Sequence, residues 1–248
     1  MRRALFASLS ILAATPAFAV TGGAPPATGW AARPIVMIED AKGNLCTGTA
    51  LARDLVLTAA HCVVRPVRYE VTAYQTGGPV AARTVSRHPG FKYDNYLASR
   101  ATADVALIKL ESPLPDIVVP AALGAARRVA VGETLTVAGF GVTAAGTDHG
   151  LRVPRMAKLT VTGKPGSLQI RLVDPASNNL RAGLGGCTGD SGGPAFDGDG
   201  PLVIGIVSWS TGAQNTEGCG GLTGLTPLLN YRAWIVETAR RLDSPIDP

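Results

Sequence analysis

Short apolar runs separated by turn-forming residues are the sequence feature that most constrains the fold. Five runs lie between residues 33 and 110, and four more lie between residues 134 and 208. They span residues 34–38, 55–60, 67–74, 80–86, 105–110, 134–138, 156–161, 168–172 and 202–208. Glycine and proline are concentrated in the segments between them. Runs of this length and spacing are typical of strands in an all-β barrel or sandwich.

A proline-rich segment divides the runs into two sets. Residues 112–116, followed by Pro120, cannot continue a hydrogen-bonded ladder and are interpreted as a linker. We therefore predict two β-barrels, the first over residues 20–118 and the second over residues 119–248. The second barrel is predicted to end in an amphipathic α-helix, because apolar residues recur at intervals of three and four between residues 228 and 242.

The first 19 residues have the pattern of a secretory signal peptide. Two arginines precede an apolar stretch, and Ala17 and Ala19 are the small residues expected before a cleavage site. A membrane anchor is the alternative, but serines and a proline interrupt the stretch, which is shorter than the ~20 residues that a span needs. We therefore expect a mature chain that begins at Val20 and is secreted or periplasmic.

The charge of the chain argues against a charged partner. The net charge is +5, and removal of the signal peptide leaves 21 basic and 18 acidic residues, a net charge of +3. The arginines are scattered rather than grouped in a basic block, so we expect no nucleic-acid partner. The hydrophobic fraction of 46% is sufficient for a packed core and excludes a disordered chain.

Four cysteines can form three different sets of disulfides. The set with the shortest loops joins Cys46 to Cys62 and Cys187 to Cys219. An exported protein favours disulfides, whereas the alternative zinc site lacks the usual Cys-x-x-Cys and His-x-x-x-His spacings.

Ser191 lies in the glycine-rich segment 189–194, which can project a serine hydroxyl from a tight turn. The segment also contains Gly-x-Ser-x-Gly, the nucleophile elbow of α/β-hydrolases. A serine needs a base within hydrogen-bond reach, and in those hydrolases the histidine follows the serine. All three histidines of this chain precede Ser191, so the elbow interpretation has no base.

His61 and Asp104 are the best candidates for the base and its partner. His61 ends an apolar run beside Cys62, whereas His88 and His149 lie in turns and are interpreted as exposed loop residues. Asp104 opens the run 105–110, where a carboxylate is costly to bury without a partner. The other two candidate aspartates, Asp94 and Asp116, lie in polar or proline-rich loops.

Three motifs in this order, residues 58–62, 104–107 and 189–194, resemble those of the trypsin/chymotrypsin family of serine endopeptidases. The resemblance implies two six-stranded antiparallel β-barrels packed face to face, with a C-terminal α-helix. It also implies a triad, in which Ser191 attacks the scissile carbonyl to form an acyl-enzyme, His61 transfers the proton and Asp104 orients His61. The backbone N–H groups of Gly189 and Ser191 would form the oxyanion hole.

The family's activation mechanism suggests a role for the new N-terminus. In the family, a newly released α-amino group pairs with the aspartate that precedes the nucleophile, which is Asp190 here. Family members that mature in this way begin with a sequence like Ile-Val-Gly-Gly, and Val20 begins Val-Thr-Gly-Gly directly after the predicted cut. We hypothesise that signal peptidase itself creates the activating terminus. The alternative is that residues 20–23 are a flexible start.

The resemblance also indicates the specificity pocket. Gly185 occupies the floor position, where trypsin has an aspartate, so arginine and lysine substrates are disfavoured. Residues 208–210, Ser208, Trp209 and Ser210, match the wall strand, and Thr223 occupies a second wall position. Ser210 and Thr223 stand where glycine is common and would narrow the pocket. We expect a preference for small or medium apolar residues. Glu217 could lend a negative charge to the pocket mouth, but it is interpreted as a solvated loop residue.

The implied partners are polypeptide substrates and proteinaceous inhibitors. We expect a monomer that needs no cofactor or metal and has no membrane or nucleic-acid partner. Two alternatives use the same fold, namely a non-catalytic binding protein and a protease restricted to a single protein partner.

Overall fold

A computed structural model describes residues 20–75, 78–143, 153–163 and 166–247. The predicted signal peptide and His149 lie outside these residues. Within the described part, no helix is long and apolar enough to cross a lipid bilayer.

Six strands close the first barrel in the order β1-β2-β3-β6-β5-β4, with every neighbouring pair antiparallel. They are β1 (Ile35–Asp40), β2 (Leu45–Ala52), β3 (Leu55–Thr58), β4 (Tyr69–Ala73), β5 (Val80–Arg87) and β6 (Ala106–Leu110). A short helix, α1 (Tyr93–Leu97), lies in the connection between β5 and β6.

The second barrel contains six antiparallel strands and one short parallel addition. The strands are β7 (Ala122–Leu123), β8 (Thr134–Gly139), β9 (Arg155–Thr162), β10 (Ile170–Val173), β11 (Pro194–Asp197), β12 (Leu202–Ser210) and β13 (Thr223–Pro227). The order β11-β8-β9-β10-β13-β12 closes through pairing of β11 with β12, and β7 joins β12 in parallel. The final helix is α2 (Arg232–Arg241). The predicted fold of two six-stranded antiparallel barrels with a C-terminal helix is therefore confirmed.

Alternating side chains on single strands build the separate cores. On β1, Val36 and Ile38 point into the first barrel, whereas Ile35 and Met37 point to a shared core between the barrels. This follows from the two-residue period of a strand. Phe140 and Phe196 of the second barrel and Ile235 of α2 complete the shared core. The two barrels therefore pack along one apolar surface, and the loops at its edge belong to both.

The tail of the chain returns to the first barrel. Lys109 on β6 is buried, and its ammonium donates to Asp54 at 2.6 Å and to the Ser244 hydroxyl, which in turn donates to Asp54. Lys109 also donates to the backbone carbonyl of Asp243 at 3.1 Å. The segment after α2 is thus tied to the barrel that precedes it in the sequence.

Candidate active site

His61 and Asp104 meet because β3 and β6 are antiparallel neighbours. Thr58 at the end of β3 pairs with Ala106 at the start of β6, so the residues after β3 and before β6 lie at the same edge of the barrel. His61 lies in a 3₁₀ turn, Ala60–Val63, directly beyond β3. A disulfide from Cys62 in this turn to Cys46 on β2 holds the turn in place.

Three hydrogen bonds satisfy the buried carboxylate of Asp104. Its Oδ1 accepts from the backbone N–H of His61 at 2.9 Å. Its Oδ2 lies 2.7 Å from His61 Nδ1 and accepts from the Ser208 hydroxyl at 2.6 Å. Because a carboxylate can only accept, the proton of the neutral imidazole is assigned to Nδ1. Nε2 of His61 is therefore left as a proton acceptor.

Tyr96 of α1 packs on the imidazole and was not identified from the sequence. The Tyr96 and His61 rings are stacked, with centroids 4.3 Å apart and planes inclined by 10°. Burial, together with the nearby charges of Asp104 and Tyr93, raises the pKa of Tyr96 to about 12, so the phenol stays neutral. The clustered aromatic residues between β5 and β6 are the signal that could have indicated this contact.

Ser191 lies in a turn that depends on glycine at two positions. Gly189 and Gly192 have φ values of +95° and +82°, in the left-handed region. A Cβ added to Gly192 would lie 2.1 Å from Thr58 Oγ1, so the turn also requires the absence of a side chain there. These restraints explain why the sequence around Ser191 is rich in glycine.

Thr47 on β2 joins the Ser191 turn to the first barrel and was also missed from the sequence. Its backbone N–H donates to the carbonyl of Ser191 at 2.8 Å, and its hydroxyl donates to the carbonyl of Gly189 at 2.7 Å. The same hydroxyl accepts from the N–H of Phe140 at 2.9 Å. One fully buried threonine thus fixes the serine turn of one barrel against the histidine barrel.

Two backbone donors of this turn are free to bind a ligand. The N–H groups of Asp190, Gly192 and Gly193 all donate to carbonyl groups. Those of Gly189 and Ser191 have no acceptor among the described residues. Both residues line a cleft of about 400 Å³ that is also lined by His61.

The structure brings together the residues assigned to the specificity pocket. Thr223 is fully buried, and its hydroxyl accepts from the N–H of Gly186 at 2.8 Å. A Cβ added to Gly186 would lie 3.2 Å from Thr223 Cγ2 and 3.5 Å from Ser210 Cβ. A Cβ added to Gly185 would lie 3.3 Å from Thr223 Oγ1. The side chains of Thr223 and Ser210 therefore fill space beside the two glycines.

Val20 and Asp190 are both inaccessible to solvent. Thr21 anchors the segment after Val20, because its N–H donates to Gly185 at 3.0 Å and its hydroxyl donates to the carbonyl of Thr143 at 2.8 Å. Gly141, two residues before Thr143, donates its N–H to Asp190 at 2.8 Å. The two predicted partners are thus attached to the same segment.

Asp190 has no cationic partner among the described residues of this chain. Burial raises the pKa of its carboxyl to about 7, although hydrogen bonds from the backbone of Gly141 and Cys187 act in the opposite direction. In the intact chain the nitrogen of Val20 is an amide and carries no charge. The carboxyl is therefore held in buried surroundings that disfavour its ionised form.

His88 does not join this site. His88 was interpreted as an exposed loop residue, but it is half-buried, and its ring packs edge-on against Tyr231 and Trp234. Burial lowers its pKa.

Within the described part of the chain, the one group of three potential metal ligands is Cys46, His61 and Cys62, and its two sulfur atoms are joined in a disulfide. The other predicted disulfide, Cys187–Cys219, is also present.

Two β-barrels packed on a shared core, with a histidine and an aspartate on one and a serine turn on the other, define the trypsin-like serine protease fold. A family model described as Trypsin matches residues 20–235. The chain belongs to this family.

Several known proteins are similar to this chain. The chain is 27% identical to snake venom serine protease rhinocerase 4 of Bitis rhinoceros over 213 residues, covering 82% of this chain and 81% of the relative. It is 27% identical to trypsin epsilon of Drosophila erecta, covering 84% and 82%. Among solved structures, HL collagenase superposes with a TM-score of 0.70 at 24% identity, covering 88% and 98%. Human heparin binding protein superposes with a TM-score of 0.69 at 23% identity, covering 92% and 100%.

Proposed function

We propose that this protein is a secreted or periplasmic serine endopeptidase that cleaves polypeptides through His61, Asp104 and Ser191. The observation that carries the proposal is the His61–Asp104 pair, which leaves Nε2 as an acceptor in the cleft that Ser191 also lines. Such an imidazole can take the proton of a serine hydroxyl, which is otherwise a weak nucleophile.

The proposed reaction uses these groups in turn. Ser191 Oγ attacks the scissile carbonyl while its proton moves to His61 Nε2, and Asp104 stabilises the resulting imidazolium. The free N–H groups of Gly189 and Ser191 bind the oxygen of the tetrahedral intermediate. The intermediate collapses when His61 gives its proton to the leaving amine, which leaves an acyl-enzyme. Water then attacks the ester with His61 again acting as base.

The substrate residue before the scissile bond is proposed to be small or medium and apolar. Gly185 supplies no negative charge for an arginine or lysine, and Thr223 and Ser210 reduce the room beside it. A panel of chromogenic peptides with Ala, Val, Leu, Phe or Arg at this position tests both the activity and the preference. We expect fastest cleavage after Ala or Val. Cleavage confined to Arg would contradict the pocket assignment.

Replacing Thr223 with glycine should open the pocket. The ratio of kcat/KM for Phe relative to Ala should rise at least about tenfold, since a few methylene groups of space are worth this much discrimination. Thr223→Val is the matched control, because it keeps the volume and removes only the hydroxyl that bonds Gly186. The valine variant should retain the preference for small residues, and a broadened preference in both variants would contradict a role for volume.

Activation is proposed to follow from cleavage between Ala19 and Val20, which would place the Val20 ammonium beside Asp190. Two chains released from a cleavable fusion, one beginning at Val20 and one beginning at Ala19, test this directly. The Val20 chain should hydrolyse peptides about 10²–10⁴ times faster, because an unpaired buried charge costs about 3–5 kcal/mol. Mass spectrometry of the exported protein should find Val20 at its terminus. Equal activity of the two chains would contradict the proposal.

The pH dependence of stability gives a second measurement on the same pair. In the Ala19 chain, the folded pKa of Asp190 is raised to about 7 from 3.8, so its contribution to stability is present at acid pH and is lost as the pH rises to 7. In the Val20 chain the ammonium stabilises the ionised carboxylate. Denaturant unfolding should therefore show the Val20 chain gaining stability over the Ala19 chain as the pH rises from 4 to 7.

A further inference from the structure

A second cavity, of about 450 Å³, lies beside the catalytic cleft and carries two arginines. It lies between the α1 region, strand β10 and the end of β12. Its lining includes Tyr96, Leu97, Arg100, Gln169, Arg171 and Trp209. Tyr96 and Trp209 also line the catalytic cleft, so the two spaces adjoin each other.

The position of Arg171 in this cavity follows from strand register. Gly224 on β13 pairs with Trp209 on β12 and with Arg171 on β10, so all three lie in one row on the same face of the sheet. A Cβ added to Gly224 would lie 1.9 Å from Trp209 Cε2. The indole therefore lies across Gly224 and extends toward Arg171.

The two arginines are available for a ligand. Arg100 and Arg171 are both exposed, and neither has an ion-pair partner within the described ranges. Asp104 is the one acidic residue in the cavity lining, and its buried carboxylate is already satisfied by His61 and Ser208. The open part of the cavity therefore has a net positive charge.

A peptide that reaches Ser191 has a direct path to these arginines. On the side of β12 away from β13, pairing with β11 ends at Ile206, so residues 208–210 have an unpaired edge beside the cleft. An extended peptide can add to such an edge as a further strand. With one residue in the pocket next to Ser210, the residues that precede it continue along this edge toward Trp209 and the cavity.

We propose that the enzyme selects substrates with an acidic side chain at the third or fourth residue before the scissile bond, bound by Arg171 and Arg100. The apolar surfaces of Trp209 and Leu97 hold the methylene groups of that side chain, and the two guanidinium groups hold its carboxylate. This inference rests on the proposed peptidase function and assigns its substrate class.

Acetyl-capped alanine tetrapeptide p-nitroanilides carrying glutamate or glutamine at the first or second position test the proposal. The acetyl cap adds no charge, and glutamine matches glutamate in size. For the wild type, kcat/KM should be about fivefold higher for glutamate than for glutamine at one of the two positions. The preference should decrease between 0.05 and 0.5 M NaCl, because salt screens an exposed pair.

Substitutions then assign the preference to the arginines. The ratio should fall to near one in the Arg100→Gln/Arg171→Gln double variant and should favour glutamine in Arg171→Glu. Arg83→Gln removes an exposed arginine on β5 outside the cavity and should leave the ratio unchanged. Equal rates for the two substrates, or a preference that survives in the double variant, would overturn the inference. Failure of the wild type to cleave any of the peptides would instead contradict the proposed function.

Discussion

Replacing Ser191 with alanine should lower kcat for peptide hydrolysis about 10⁶-fold. Without the hydroxyl, His61 has no nucleophile to activate and no acyl-enzyme can form. The free N–H groups of Gly189 and Ser191 remain in the variant, so a residual rate above that of water is expected from oxyanion binding alone. Measuring a loss of this size needs purified protein and assays in which product is sampled over several days.

The fold of the Ser191→Ala variant should be unchanged. The hydrogen bond from Thr47 reaches the backbone carbonyl of Ser191 and survives the substitution. Unfolding curves that coincide with those of the wild type would verify this, and Ser86→Ala on β5 is a matched control that should keep full activity. Hydrolysis unaffected by Ser191→Ala would rule out the proposed triad and favour a binding protein on the same fold.

Replacing Asp104 with asparagine should lower kcat about 10⁴-fold, because the amide should hold the imidazole of His61 in the wrong tautomer. The backbone N–H of His61 requires an acceptor, so the amide oxygen should take the position of Oδ1. The amide NH₂ then faces His61 Nδ1 and forces that nitrogen to accept. The imidazole proton moves to Nε2, which can no longer take the proton of Ser191.

Asp104→Asn should change the tautomer of His61 and should leave the fold intact. KM should change much less than kcat, because the substrate does not contact Asp104. Asp94→Asn, which neutralises an exposed carboxylate on α1, is the control and should have little effect on either constant. A loss of similar size in both variants would indicate a general effect of charge instead.

The two-barrel fold is predictable because most strands contain an apolar run bounded by turn residues. Strands β2, β11 and β13 were missed because small and polar residues break their apolar pattern, and β7 was missed because it has only two residues. Gly48 on β2 shows the reason: a Cβ there would lie 2.6 Å from Val56 and 2.8 Å from Ile38. Only the packed barrel explains why a glycine belongs in that strand.

Other boundaries depend on local packing that a linear pattern does not contain. The run 55–60 was predicted to be continuous, but β3 ends at Thr58 and His61 follows in a 3₁₀ turn. The predicted terminal helix begins at Arg232 instead of Leu228, because residues 228–230 form a separate 3₁₀ turn.

The chemically reactive residues of the candidate site can be predicted from the sequence, but the residues that hold them in place cannot. Ser191, His61 and Asp104 were identified because nucleophilic catalysis needs these groups and the order of the histidines restricted the choice. Tyr96 and Thr47 have no such chemical signature. Their roles arise from ring stacking and from hydrogen bonds between segments more than 90 residues apart, as for Thr47 and Phe140.

Neither disulfide crosses between the barrels, since Cys46 and Cys62 both belong to the first and Cys187 and Cys219 both to the second. The junction at Thr47 instead uses a hydroxyl, amide groups and carbonyl groups, all without charge, around a threonine that is fully buried. This contact contains no titratable group and no charge that salt could screen. Changes in acidity or ionic strength should therefore leave the contact between the two barrels at Thr47 intact.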